Sequence, residues 1–235
     1  MTDLATMLWK EVVELVGNRR SLRIYVMAVL IMGLLPTLTR PRGMPPGIAA
    51  VMLLGYAVFS SVVVAAQAAP DLVLRERAGR TLETLLASRL SDAAIFGGKV
   101  IMAAVLGWSA ALLTVAVQLI ALHLRDAGAP WQWSYLALVQ GRVVLLAGVP
   151  LLGVYLGTVG SFVAMRVGDQ RPAYTVTMLS AGLLVLPVAL HLVPLSLTPA
   201  GVAHAVAALA VVDLLLVALA VRFFRRSQLI LFLQD

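Results

Sequence analysis

A charged segment between two long apolar runs is the feature that most constrains this chain. Residues 71–99 read DLVLRERAGRTLETLLASRLSDAAIFGGK and carry nine charged side chains, whereas the flanking runs Gly43–Pro70 and Val100–Leu124 carry none. Each run is longer than the roughly 20 helical residues that cross the hydrocarbon core of a membrane. The pattern therefore predicts two membrane-spanning helices joined by a segment in water, here called the charged island (71–99).

The composition indicates an integral membrane protein. Of the residues, 61% are hydrophobic and 12% are charged, and the mean hydropathy is +0.98. Soluble domains have roughly 25% charged residues. The chain has no cysteine, which excludes disulfides and thiolate metal sites, and its three histidines are too dispersed to predict a metal site.

The charge-free stretches predict an all-α membrane protein with one transmembrane domain over residues 1–235. The predicted spans are 22–38, 48–69, 100–122, 143–165, 174–194 and 199–221. The last two come from one long uncharged region, which we divide at Pro194, Pro199 and Gly201. Before them, residues 3–20 predict an amphipathic helix that lies in the membrane interface, with Leu4, Leu8, Val12, Leu15 and Val16 on its apolar face.

The distribution of basic residues predicts that both termini are cytoplasmic. With the N-terminus inside, 14 of the 18 Lys and Arg residues lie in inner segments. We therefore expect an integral protein of a prokaryotic cytoplasmic membrane. The formal charge of +7 then reflects topology and anionic membrane lipid, and does not predict a nucleic-acid partner.

The charged island contains signals for short helices. Pro70 is expected to end or bend the second span, after which residues 71–80 continue the helix or form a loop. Thr81 can cap a short helix with an apolar stripe of Leu82, Leu85 and Leu86, while Glu83 and Thr84 face away. Ser91 can cap the next helix, which runs from Asp92 into the third span. A solvated loop is the alternative for the middle of the island.

The island resembles the signature of the type-2 ABC exporter permeases, in which a segment like ERExGTLExLLATPVSxxEIxxGK joins the second and third of six spans. The matching positions are Glu76, Arg77, Gly79, Thr81, Leu82, Glu83, Leu85, Leu86, Ser88, Ile95, Gly98 and Lys99. Arg80 is one residue more than the pattern has, and Arg89 replaces the usual proline. The motif covers about a tenth of the chain, and the expected order of spans agrees with the family.

The resemblance implies a transport subunit that is not itself an enzyme. The chain has no G-x-x-x-x-G-K-[ST] loop, so ATP and Mg²⁺ would bind to separate cytosolic ABC ATPase subunits. A second permease subunit, identical or related, would complete the exporter. The coupling residues would be Glu76, Arg77, Thr81, Leu82, Glu83, Leu85 and Leu86. The leucines would fill a groove on the ATPase, and Glu76, Arg77 and Glu83 would orient it by ion pairs. The haem-exporter permease of cytochrome c maturation is a close cousin of this family and is the alternative within it.

Polar residues within the predicted spans are candidates for an intramembrane site. Asp213 lies nine residues before Arg222, near the middle of the sixth span. It is expected to be either a proton, cation or cationic-substrate site or a neutral carboxyl that ties two helices. Gln67 and Gln118 are expected to join helices or to line the same polar site.

Two other function classes remain as alternatives. An ATP-independent ion channel or secondary transporter would use Asp213 as its ion site, although no inverted repeat is visible. An intramembrane serine protease would need a buried serine near a histidine, but Ser161 is followed by Phe162 where such a site expects glycine. The small-residue repeat Gly153–Gly157 predicts close helix packing, either inside the bundle or at a dimer face.

Overall fold

The computed structural model describes residues 3–17, 19–41, 44–79, 91–125, 136, 138–192 and 198–223. These residues form helices and connecting turns, and the described part of the chain contains no strand. In chain order the helices are α1 (Asp3–Gly17), α2 (Arg19–Thr39), α3 (Pro46–Ala78), α4 (Asp92–Arg125), α5 (Val139–Arg166), α6 (Gln170–Leu192) and α7 (Pro199–Phe223). The all-helical expectation is confirmed for these residues.

Five of these helices are long and apolar enough to cross a membrane: Ser21–Thr39, Gly47–Ala78, Ala93–Arg125, Val139–Arg166 and Pro199–Arg222. They contain the predicted spans 22–38, 48–69, 100–122, 143–165 and 199–221. The predicted span 174–194 lies in α6 as far as Leu192, but α6 is not one of the five. The protein is therefore helical, with five candidate membrane spans among its described residues.

Both helices next to the charged island extend well into it. Helix α3 continues through Pro70 to Ala78, and its last turn closes where the Gly79 N–H donates to the Arg75 carbonyl at 2.9 Å. Helix α4 begins at Asp92, and the Ala94 N–H donates to Ser91 Oγ at 3.2 Å. The prediction that Ser91 caps this helix is confirmed. Residues 80–90 lie outside the described residues.

Small residues let α3, α4 and α5 approach one another at the centre of the bundle. A side chain at Gly107 of α4 would clash with Ser61 of α3, because an added Cβ would lie 2.9 Å from its Oγ. A Cβ at Gly153 of α5 would lie 2.7 Å from Ala104 Cα, and one at Gly157 would lie 2.9 Å from the Val100 carbonyl. The small-residue repeat in α5 therefore faces α4 within the same chain.

A π-helical turn at Val144–Gly148 interrupts α5 and frees one backbone carbonyl. In this turn the Val149 N–H bonds to the Val144 carbonyl, five residues back. The next carbonyl, that of Leu145, would need the N–H of Pro150, which proline lacks. Trp108 of α4 donates its indole N–H to the Leu145 oxygen at 2.9 Å. The turn therefore depends on a side chain from a neighbouring helix.

Replacing Trp108 by Phe should destabilise the protein by about 1 kcal/mol, because the Leu145 carbonyl would lose its donor while the ring still fills most of the space. The free energy of unfolding in mixed micelles measures this change. Trp9→Phe is the matched control, since Trp9 is 68% exposed. Equal stability of the two variants would show that the indole bond does not support the turn.

Candidate functional site

The N-terminal helix packs against the charged island at one end of the bundle. This end, here called the charged end, consists of α1, the last turns of α3 (Asp71–Ala78) and the first turns of α4 (Asp92–Lys99). Met7 lies against Gly98, where an added Cβ would be 3.0 Å from the Met7 Cβ. Met7 also belongs to a buried apolar cluster with Ile95, Phe96, Val100 and Ala220.

Three charged residues are buried where these helices meet. Glu11 of α1, Glu76 of α3 and Lys99 of α4 are 0%, 2% and 2% exposed. The Lys99 Nζ lies 3.1 Å from Glu11 Oε1 and 2.7 Å from Glu76 Oε2. It also donates to the Leu72 carbonyl at 2.8 Å. Lys99 thus donates to Glu11 on α1 and to Leu72 on α3, and its charge pairs with that of Glu76, so it ties α1 and the end of α3 to the start of α4.

Lys10 supplies a second positive charge at the rim of this group. Its Nζ donates to Glu76 Oε1 and lies 3.3 Å from Glu14 Oε1. Lys10, Glu11, Glu76 and Lys99 are here called the charge cluster. The cluster contains two basic and two acidic groups, which is the balance that burial requires.

Burial and pairing shift two pKa values in the charge cluster. Burial raises the pKa of Glu11, the neighbouring Lys99 charge opposes that rise, and the nearby Glu76 carboxylate adds to it. Burial lowers the pKa of Lys10, but its hydrogen bond to Glu76 and the surrounding carboxylates outweigh that effect, so the net shift is upward. One of the Glu11 carboxyl oxygens, Oε2, has no hydrogen-bond partner among the described residues.

The orientation of α1 differs from the expectation for a helix that floats on the membrane with its polar face in water. Its buried side carries Met7 and Glu11, while Trp9, Val12 and Val13 are exposed. Part of the polar face therefore contacts the bundle, and apolar residues face outward. Lys10, Glu11 and Lys99 are functional candidates that were not predicted from the sequence. The sequence signal that could have identified them is their position next to apolar runs, because a charge near a membrane needs a partner.

The coupling residues predicted from the sequence are only partly described. Glu76 lies in the charge cluster, where Lys10 and Lys99 already contact its carboxylate. Arg77 donates to the carbonyls of Ala164 and Met165 at 3.4 and 3.3 Å, and so satisfies the last turn of α5. The remaining predicted coupling residues, Thr81, Leu82, Glu83, Leu85 and Leu86, lie outside the described residues.

The predicted intramembrane residues lie in three separate places. Gln118 is buried and donates to the carbonyls of Leu53 and Met32 at 3.0 and 3.4 Å, which joins α4 to α3 and α2. Gln67 is half-buried and lines a cavity on α3. Asp213 of α7 is 4% exposed, and neither carboxyl oxygen has a hydrogen-bond partner among the described residues. The three side chains therefore do not form one site.

Within the described part of the chain, no group of three His, Cys, Asp or Glu side chains could hold a metal ion. Comparisons with known proteins found no matching family model and no matching curated protein. Function is therefore inferred from the residues and geometry of the charged end.

The raised pKa of Glu11 predicts how stability changes with pH. A carboxyl whose pKa rises on folding holds its proton more tightly in the folded state, so its ionisation lowers the free energy of unfolding. This loss begins as the pH rises above the ordinary value of 4.5 and is complete above the folded-state pKa. Glu11→Gln cannot ionise, so its stability relative to the parent should increase as the pH rises from about 4 to 8.

The measurement is the free energy of unfolding of parent and variant in micelles across this pH series. Glu14→Gln is the matched control, because Glu14 lies on the same helix and its side chain is 41% exposed. The free energy of unfolding of Glu11→Gln relative to the parent should rise with pH. If it stays constant or falls as the pH rises, Glu11 is not a buried ionisable group.

Proposed function

We propose that this chain is the membrane-spanning permease subunit of an ATP-driven exporter of the type-2 ABC class. Two cytosolic ATPase subunits would bind ATP and Mg²⁺, and a second permease subunit would complete the transport path. In this proposal α2 to α7 are six spans and α1 lies in the interface. The charged end faces the cytoplasm, as the distribution of Lys and Arg favours. The transported substrate is left open.

The observation that carries the proposal is the link between the charge cluster and the ends of α3 and α4. The segment that resembles the exporter signature begins in the last turns of α3 and ends at Lys99 in α4. Lys99 contacts Glu76 on α3 and Glu11 on α1, so the helices on both sides of residues 80–90 are held together. A displacement of residues 80–90 by an ATPase would therefore move α1, α3 and α4 as one unit.

Arg77 extends this unit to a fourth helix. Its guanidinium reaches the carbonyls of Ala164 and Met165 at the end of α5. A push on the island would thus reach α5 as well. Alternating access requires such rigid groups of helices that shift between two arrangements.

The outward face of α1 supports its place in the interface. Trp9, Val12 and Val13 are exposed on the isolated chain and would contact lipid, while Glu11 is held in the bundle. Helix α6 has 23 residues, which at 1.5 Å per residue is long enough to be the fifth of the six proposed spans. An even number of spans places both termini on one side.

An ATP-independent ion channel or secondary transporter is the second candidate. The observation that favours it is Asp213, a carboxyl buried in a candidate span with no hydrogen-bond partner among the described residues. Intramembrane acids of this kind commonly mark ion or proton paths.

Replacing both Leu85 and Leu86 by Asp should separate the permease from its ATPase. Charges on the apolar stripe would not enter an apolar groove, so co-purification of the ATPase and ATP hydrolysis by the complex should both be lost. The assay purifies the tagged chain from its native membranes, identifies co-purified proteins by mass spectrometry and measures ATP hydrolysis. Thr84→Asp is the control, because Thr84 is predicted to face away from the groove.

The permease proposal requires that an ATPase with a P-loop co-purifies with the parent chain and with the Thr84 variant. Its absence from the parent would overturn the proposal and leave the ATP-independent transporter. Its retention in the double Asp variant, at normal membrane levels, would show that the leucine stripe is not the docking surface.

A further inference from the structure

A cavity of about 390 Å³ lies on α3 between α2 and α6. Both outer helices pack on α3 but make almost no contact with each other, so they form the walls of a groove. Apolar residues line one part of the cavity: Ile24, Val64, Ala68, Leu72 and Leu106. Polar residues line the rest: Ser21, Tyr25, Gln67, Asp71, Arg75, Gln170, Arg171 and Tyr174. The cavity is therefore amphipathic.

Both carboxylate oxygens of Asp71, the acidic residue of the cavity, accept hydrogen bonds from neighbouring side chains. Asp71 Oδ2 accepts hydrogen bonds from Ser21 Oγ at 3.0 Å and from Arg75 Nη2, and its Oδ1 accepts one from Gln170 Nε2 at 3.2 Å. These bonds link α2, α3 and α6 across the groove. Asp71 is thus a structural anion here, and its negative charge is already compensated by one arginine.

The two arginines of the cavity remain partly accessible. The Arg75 side chain is 25% exposed although its Nη2 donates to Asp71 and Ser21, and its buried Nε has no hydrogen-bond partner among the described residues. Arg171 is exposed at the start of α6, and the structure shows no partner for its side chain in the described ranges. Two guanidinium groups face one carboxylate, so the cavity has an excess of one positive charge. Such a set of donors is suited to the oxygens of a phosphate or carboxylate.

The two walls of the groove also carry exposed apolar residues, which a membrane would cover. Leu22 and Val26 of α2 and Val176 and Leu179 of α6 are exposed on the outer faces of the two walls. A hydrocarbon chain could enter between these walls and contact Val64 and Leu106, while a polar head stays at the charged end. Neither a free anion nor an apolar molecule alone would use both parts.

We infer that this cavity binds an amphiphile with an anionic head group, such as an acidic phospholipid. Arg75 and Arg171 bind the head group, and the surface of Ile24, Val64 and Leu106 takes the chain. This inference does not depend on the permease proposal, because binding can be measured on the isolated chain without an ATPase or transport.

The test measures lipid retained by the protein on release from nanodiscs in native mass spectrometry. The nanodiscs contain equal amounts of phosphatidylglycerol and phosphatidylcholine with matched chains. The parent should retain phosphatidylglycerol selectively. Arg171→Gln should lower that retention roughly tenfold, the usual effect of losing one charged contact to a phosphate. Arg23→Gln is the matched control, because Arg23 is exposed at the same end of α2 and does not line the cavity.

The Arg171 side chain has no hydrogen bond or ion pair to the described residues, so Arg171→Gln separates binding from stability, whereas Arg75 also donates to Asp71. The inference would be overturned if the parent retained the two lipids equally. It would also be overturned if Arg171→Gln and Arg23→Gln lost the same amount of phosphatidylglycerol. Two further arms use dihexanoyl phosphatidylglycerol and glycerol phosphate as soluble probes. If glycerol phosphate binds as tightly as the short-chain lipid, the cavity binds a free anion, and the inference of an amphiphilic ligand is wrong. If Arg171→Gln changes the mass of the assembly and not its lipid content, a second copy of the chain covers the cavity.

Discussion

The buried ammonium group of Lys99 is the interaction on which the charged end of this protein depends. It contacts Glu11 of α1, Glu76 of α3 and a carbonyl of α3, so three segments distant in sequence meet at one atom. Removing a single partner from such a group leaves an uncompensated buried charge, which typically costs about 3–5 kcal/mol. The buried charges are therefore stable only when all of their partners are present. At the rim of the charge cluster, the ion pair between Lys10 and Glu76 compensates the Glu76 carboxylate further.

The same helix, α4, organises the bundle along its full length. Gly107 brings it close to α3 and Trp108 completes the π-helical turn of α5. Further along, Gln118 joins it to α2 and α3. At its last residue Arg125 donates to the carbonyl of Leu38 in α2 at 3.3 Å and to that of Arg40, just after α2, at 2.9 Å. A motion imposed on the first turns of α4 would thus reach every helix that contacts it, which is the property that the permease proposal requires.

The sequence predicted the helices well because membrane spans follow from uncharged length alone, and Ser91 showed where α4 begins. Gly153 and Gly157 predicted close packing but not its partner, since a small-residue repeat does not identify the facing helix. The charge cluster could not be predicted in detail. Lys99 and Glu11 are 88 residues apart, and their pairing depends on how α1 folds back onto α4. The partners of Asp71 likewise come from three helices, so its role is visible only in the structure.

The rate of disulfide formation between Met7→Cys and Gly98→Cys tests most directly whether Lys99 holds α1 on the bundle. The natural chain has no cysteine, and a Cβ at Gly98 would lie 3.0 Å from that of Met7, within reach of a disulfide after a small shift. A second pair, Gly148→Cys with Val206→Cys, reports on α5 and α7 away from the cluster, because a Cβ at Gly148 would lie 3.5 Å from Val206 Cγ2 without a clash. Adding Lys99→Met should slow the first cross-link by about tenfold or more and leave the second unchanged. Equal rates of the first cross-link with and without Lys99 would contradict the account.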